Sequence, residues 1–211
     1  MKILHIDSSI LGDNSASRVL TAEIVAALRQ ANSGAAVDYL DLAADPVEHF
    51  STDALGVKTG QTEGATPEQA RQNELSERLV SQFLAADVLV VGAPQYNFDI
   101  PTQLKAWIDR LAQPGRTFRY TAEGPVGLAG GKTLIVASTR GGKYPDEAAA
   151  GQLIPRERDY LRLVFGFMGI TDVRFVRADG LAMGDEARAA GLAQARREID
   201  AAIGLPLAEA A

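Results

Sequence analysis

The run Val88-Leu89-Val90-Val91 carries no polar residue and ends at Gly92 and Pro94. A strand that faces water on one side alternates polar and apolar residues. One without alternation is covered on both faces, as in a parallel sheet sandwiched between helices. Directly after it, Gln95-Tyr96-Asn97-Phe98 sets an amide, a phenol, a second amide and a phenyl ring in a row. Pro101 favours a helix start. Leu104, Trp107, Ile108 and Leu111 then recur at i, i+3, i+4 and i+7, which gives that helix one apolar face. The polar and aromatic stretch is therefore a loop at the carboxyl end of a buried strand, where open α/β sheets bind their ligands.

The rest of the chain repeats the same alternation. An apolar strand over 2–7 leads through a loop of small polar residues, Ser8 to Ser17, into a helix whose predicted inner face is Val19, Leu20, Ile24 and Leu28. A second strand is predicted over 36–42, followed by a polar, irregular stretch over 43–65. Thr66-Pro67-Glu68-Gln69 has the form of a capping box with proline at the first helical position, and opens a helix with Leu75, Leu79 and Phe83 inside. Beyond the Trp107 helix, residues 117–121 alternate and predict a short hairpin arm turning at Glu123-Gly124-Pro125. A fourth core strand over 134–138 runs into Thr139-Arg140-Gly141-Gly142. Leu161, Val164, Phe165 and Met168 mark a helix, 173–176 a fifth strand and 185–203 a terminal helix. Strand–helix alternation of this kind predicts a doubly wound parallel sheet with helices on both faces, in one domain spanning residues 1–211.

Several chemistries are excluded at once. There is no cysteine, which removes disulfides, thiol nucleophiles, thiolate-bound zinc and iron–sulfur clusters. The two histidines, His5 in a strand and His49 in a polar loop, have no second ligand at metal-binding spacing. The net charge of −6 argues against a nucleic-acid partner. No run is long enough to span a bilayer and no signal segment opens the chain, so a soluble, cytoplasmic protein is expected. Gly131-Lys132-Thr133 resembles the tail of a P-loop, but the glycine five residues earlier is replaced by Val126 and a strand follows instead of a helix. There is no G-x-G-x-x-G after the first strand and no G-x-S-x-G elbow.

What remains is three loops at three strand ends. In a five-stranded sheet of order 2-1-3-4-5, strands one, three and four are adjacent, and a crevice opens at the switch between one and three. The first loop offers hydroxyls and helix N-terminal N–H groups to a phosphate, or is an ordinary capped helix start. The second and third loops grip a flat ring, with Gly141 and Gly142 allowing close backbone approach, or Tyr96 and Phe98 merely pack a helix. A flat ring bearing one phosphate is FMN, a cofactor that carries hydride chemistry without a protein acid–base set.

The chain also resembles a known family. Asp7-Ser8-Ser9-Ile10-Leu11 with Ser15-Ala16-Ser17, Pro94-Gln95-Tyr96-Asn97-Phe98 through Gln103-Leu104-Lys105, Thr117-Phe118-Arg119-Tyr120-Thr121, Thr139-Arg140-Gly141-Gly142 and Gly166-Phe167-Met168-Gly169-Ile170-Thr171 are similar to the bacterial FMN-dependent NADH-azoreductases, which are also NADH:quinone oxidoreductases. The resemblance implies a flavodoxin-like homodimer with one FMN per subunit. NADH gives hydride to flavin N5, and quinones or aromatic azo compounds then take the electrons. It places FMN contacts on Ser9, Ser15, Ala16, Ser17, Gln95, Tyr96, Asn97, Phe98, Thr139, Arg140, Gly141 and Gly142. Two positions depart from the family's pattern: Gln95 stands where Met is usual, and Thr139 where Ser is usual. Phe98, Tyr120 and Phe167 are the residues expected to roof the ring, across a dimer; the plain alternative is that Phe118 and Phe167 fill core. Two other classes stay open at this point: an electron carrier without turnover of its own, and an esterase built on Ser8 or Ser9.

Overall fold

A computed structural model describes residues 1–60, 63–144 and 156–204. Residues 61–62, part of the stretch expected to be irregular, lie outside that description, as do 145–155 and 205–211. The elements run β1 (Lys2–Asp7), α1 (Ala16–Ala31), β2 (Ala36–Asp41), α2 (Gly56–Thr59), α3 (Pro67–Ala85), β3 (Val88–Pro94), α4 (Thr102–Leu111), β4 (Phe118–Thr121), β5 (Gly124–Gly127), β6 (Thr133–Thr139), α5 (Glu157–Phe167), β7 (Asp172–Ala178) and α6 (Asp185–Gly204). Five strands form one parallel sheet in the order β2-β1-β3-β6-β7, the expected 2-1-3-4-5 topology counted among sheet strands. Every residue of β3 and of β6 is buried, and the two pair along seven residues from Val88–Thr133 to Pro94–Thr139.

Two apolar layers sandwich the sheet. On one face Phe83, Leu104, Trp107, Leu111, Leu161 and Phe165 pack against Leu89, Val91, Leu134 and Val136. On the other, Leu20, Ile24 and Leu28 of α1 and Ala195, Ile199 and Ala202 of α6 cover Ile3, Val88, Val90 and Ile135. Alternate residues of one strand thus serve opposite layers, which is why the sequence shows no polar position there. The capping box is present in full: Thr66 Oγ1 accepts from the Gln69 N–H at 3.2 Å and Gln69 Oε1 from the Thr66 N–H at 3.0 Å.

Three expectations are corrected. Val19 is 42% exposed rather than on the inner face of α1, because Leu20, Thr21, Ile24, Val25 and Leu28 already fill the buried stripe. The stretch over 43–65 is not wholly irregular: it holds a 3₁₀ turn at Thr52–Ala54 and the short α2. In the hairpin, Gly124 and Pro125 belong to β5, pairing with Thr121 and Tyr120, so the turn falls at Ala122 and Glu123. Lys132 is structural, as its context predicted: its Nζ donates to the carbonyls of Leu84 and Ala86, both at 2.7 Å, beyond the last turn of α3.

Candidate functional site

The loops after β1, β3 and β6 converge at the carboxyl edge of the sheet, and hydrogen bonds lock them to one another. The Tyr96 hydroxyl lies 3.2 Å from Ser9 Oγ and accepts the Ile10 N–H at 3.1 Å, tying the second loop to the first. The Gln95 N–H donates to the Thr139 carbonyl at 2.8 Å, tying the second to the third. A cavity of about 210 Å³ lies between them, lined by Ser9, Ser15, Ala16, Gln95, Tyr96, Thr139, Arg140 and Gly141 among others. A second, of about 500 Å³, adjoins it across Tyr96, with Ile10, Asn97, Gln103, Lys105 and Tyr160 on its walls.

The first loop combines capping with spare donors. Ser15 Oγ accepts the Arg18 N–H at 3.3 Å and sits 3.0 Å from Ser17 Oγ, so Ser15 is the helix cap. That still leaves the N–H groups of Ala16 and Ser17, which have no intrahelical acceptor at the positive end of α1. Behind the loop, Arg18 forks onto Asp41 at 2.6 Å through each terminal nitrogen and donates to the Ser9 carbonyl at 3.1 Å, fixing the loop to β2. Asp7 lies beneath, 3% exposed. Burial alone would push its carboxyl up, but His5 at 3.5 Å and hydrogen bonds from Thr21 at 2.8 Å and Tyr39 at 3.0 Å hold it below the ordinary carboxylate value.

The second loop is a turn closed on itself: Tyr96 N–H donates to the Asp99 carbonyl at 2.8 Å and Asp99 N–H to the Tyr96 carbonyl at 3.1 Å. Its two central residues, Asn97 (φ 49°) and Phe98 (φ 71°), are both left-handed. Asparagine tolerates that region; phenylalanine pays about 1–2 kcal/mol for it. Strain of this kind persists where a side chain is wanted for another purpose, and the Phe98 ring is 51% exposed, edge-on to Tyr144 at 6.2 Å. Phe98→Gly is expected to leave folding stability unchanged or raise it by about 1 kcal/mol in urea unfolding, while raising KM for any aromatic ligand that this ring contacts. A stability loss of similar size together with an unchanged KM would make the ring structural.

In the third loop the carbonyls of Gly141 and Gly142 accept from the N–H groups of Ala182 and Gly180, both at 2.9 Å. Arg140 and Glu157 form a pair buried to within 3% of full, with Arg140 Nε donating to Glu157 Oε1. A Cβ at Gly142 would meet the Tyr144 ring at 3.1 Å, so the value of that glycine is room for Tyr144, in addition to any room it leaves for a ligand.

The structure therefore gathers Ser9, Ser15, Ala16, Gln95, Tyr96, Thr139, Arg140 and Gly141 around one cavity, with Ser17 in the first turn of α1, Asn97 on the wall of the second cavity and Gly142 on the third loop. Phe98, Tyr120 and Phe167, the residues expected to roof the ring, are not on either cavity wall. Tyr120 stands on the hairpin arm, 5.5 Å from the Phe118 ring and 73% exposed, and Phe167, the last residue of α5, packs on the same Phe118 ring at 4.5 Å. A fourth loop, after β7, was missed: it brings Leu181, Ala182 and Arg188 to the cavity through the backbone ladder to Gly141. Its signal in the sequence was only its place at the end of a strand.

The unspent groups here are nearly all donors. Gln95 Nε2 is buried on the cavity wall without a hydrogen-bond partner. Among the described residues the N–H groups of Gly141 and Gly142 also have no protein acceptor. A donor-rich cradle suits an acceptor-rich, anionic guest, and FMN, with a phosphate at one end and carbonyl-bearing ring at the other, is such a guest. An esterase centre finds no support: Ser8 Oγ is spent on the Gly92 carbonyl at 2.6 Å, and His5 faces Asp7.

Fold and site together define a doubly wound α/β protein with a donor-rich crevice at the switch point of its sheet. The chain belongs to the family described as having the flavodoxin-like fold, which matches residues 1–203. It is 60% identical over 201 residues to the FMN-dependent NADH:quinone oxidoreductase of Acidovorax ebreus, covering 95% of this chain and 93% of that protein. It is 56% identical over 209 residues to the protein of the same name from Azospirillum brasilense, covering 99% and 100%. Among solved structures it superimposes on an FMN-dependent NADH-azoreductase from Bacillus anthracis in complex with FMN, with a TM-score of 0.83 and 27% identity over 96% of this chain and 97% of the other.

Proposed function

We propose that this chain is an FMN-dependent NADH:quinone oxidoreductase that also reduces aromatic azo compounds. The observation that carries the reading is the donor-rich crevice where three strand-end loops meet, with Gln95 Nε2 buried and unpartnered on its wall. The names of the relatives support it, and they favour turnover over a passive electron carrier.

Bound FMN supplies the hydride chemistry. The chain supplies the rest. The N–H groups of Ala16 and Ser17 and the hydroxyls of Ser9 and Ser17 receive the phosphate. Tyr96, Asn97 and Phe98 of the second loop and Thr139, Arg140, Gly141 and Gly142 of the third would hold the ring. Gln95 donates its amide hydrogen to an acceptor there. The N–H groups of Gly141 and Gly142, which have no protein acceptor among the described residues, would offer donors to the ring.

NADH is the donor; quinones and azo compounds are the acceptors. We read the chain as one domain acting as a homodimer in the cytoplasm. The dimer would bring Tyr120 of a hairpin arm and Phe167 at the end of α5 over a crevice whose walls they do not line within one chain. No helix among the described residues is long and apolar enough to cross a membrane.

The test is anaerobic. Protein loaded with FMN is expected to lose its bound-flavin absorbance on addition of NADH and regain it on addition of a benzoquinone. Flavin that binds but does not bleach would favour the electron-carrier reading. Failure to bind FMN at all would overturn the proposal.

A further inference from the structure

We propose that Arg188, in the first turn of α6, is the cation that pairs with the phosphate of the bound flavin. The inference rests on the reading above and goes beyond it, since neither the sequence pattern nor the resemblance singles out this residue. Arg188 lines the same cavity as Ser9, Asn14, Ser15 and Ala16 of the phosphate loop, together with Leu181 and Ala182.

The argument is one of charge. A phosphate monoester carries between one and two negative charges at neutral pH. The N-terminus of α1 meets it with roughly half a positive charge. The other arginines nearby are already committed. Arg18 is forked onto Asp41 and holds the Ser9 carbonyl; Arg140 is locked to Glu157. The Ser15 hydroxyl caps α1. The loop as built thus offers dipoles and no free full charge, in a chain whose net charge of −6 repels anions. Arg188 is exposed, and among the described residues its guanidinium makes no ion pair, although Asp185 and Glu186 share its turn. A cation in the first turn of a helix is also on the unfavourable side of the helix dipole. An arginine there is better explained by an anion outside the helix than by the helix itself. Its planar fork matches two phosphate oxygens at once.

The experiment compares two flavins that differ only in the phosphate. Apoprotein is titrated with FMN and with riboflavin by fluorescence quenching, as wild type, Arg188→Ala and Arg188→Lys. Arg188→Ala is expected to weaken FMN roughly tenfold to a hundredfold, the range of a charge-assisted pair, and to change riboflavin by less than twofold. Arg188→Lys should recover part of the loss. The wild-type FMN affinity should also fall more steeply with salt than that of Arg188→Ala. An unchanged FMN affinity, or equal losses for both flavins, overturns the assignment. A change confined to KM for the nicotinamide nucleotide overturns it too, by placing the arginine on the donor's phosphate. Failure of the wild type to bind either flavin is a different result and removes the flavin reading itself.

Discussion

Arg110→Met is expected to cost about 4 kcal/mol of folding stability, read as a fall of about 8–16 °C in the melting temperature of the apoprotein. Arg110 is 0% exposed and lies in α4, three residues after Trp107. It has no carboxylate at its guanidinium. Instead all five N–H donors have neutral acceptors: Nε and Nη2 donate to the Glu48 carbonyl at 3.3 and 3.0 Å, Nη2 to Gln72 Oε1 at 2.5 Å, and Nη1 to the Gln72 carbonyl and Ser76 Oγ at 3.3 and 3.0 Å. Burial pulls the guanidinium below its ordinary pKa, as a charge in a poorly hydrated place must be, with Glu48 opposing the shift. Methionine replaces the volume of the stem and none of the donors. It strands the buried Gln72 and Ser76 side chains and unpins the 43–65 stretch from α3 and α4, and each stranded group costs about 1–3 kcal/mol. Arg110→Lys is expected to recover little, since three donors on a flexible stem cannot replace five in a plane. The measurement belongs on apoprotein, because cofactor binding stabilises the folded state by mass action and would mask part of the loss. A loss under about 1 kcal/mol would show that the network is solvated and that its geometry carries no stability.

Arg110 also shows where reading a sequence stops. The helix around it was legible, because Leu104, Trp107, Ile108 and Leu111 repeat at helical spacing and all four are buried. An arginine between them reads as solvated, and nothing local announces that acceptors from positions 48, 72 and 76 converge on it. The sheet was legible for the converse reason: β3 and β6 are buried on both faces, so their apolar runs do not depend on what covers them. Val19 was misplaced because a helical stripe is wide enough to admit a neighbour of Leu20 on the pattern alone. The three loops of the site could be found, since each follows such a strand. The fourth could not be, because Ala182 reaches the cavity through a hydrogen bond to Gly141, forty-one positions earlier. The left-handed turn at Asn97 and Phe98 was hidden as well: turn chemistry is recognised by glycine, and here a bulky aromatic occupies the position.

The hairpin arm gives the second large effect, and one that separates binding of the cofactor from handling of the acceptor. Gly127 closes β5 against the end of α5, where a Cβ added to it would lie 2.2 Å from the Gly169 nitrogen and 2.4 Å from its Cα. Those are backbone atoms, and Gly169 is itself left-handed at φ 100°, so neither partner can yield by turning a side chain. Gly127→Ala therefore forces the arm off the helix end by more than an ångström. The bonds from Leu128 N–H to the Thr117 carbonyl at 2.9 Å and from Ala129 N–H to the Met168 carbonyl at 2.8 Å go with it, as does the packing of Phe118 on Phe167. A cost of about 3 kcal/mol is expected from overpacking of this severity. Among the described residues the crevice loops after β1, β3 and β6 are hydrogen-bonded to one another and not to the arm. FMN affinity should therefore stay within about threefold of wild type, by the usual near-independence of separate sites. Quinone and azo turnover, which on our reading use Tyr120 of the arm and Phe167 of α5 beneath it, should fall far more than FMN binding, and the homodimer we propose should already dissociate at higher protein concentration in sedimentation. Turnover preserved in a displaced arm would remove Tyr120 and Phe167 from the acceptor site and leave them as packing for the helix end.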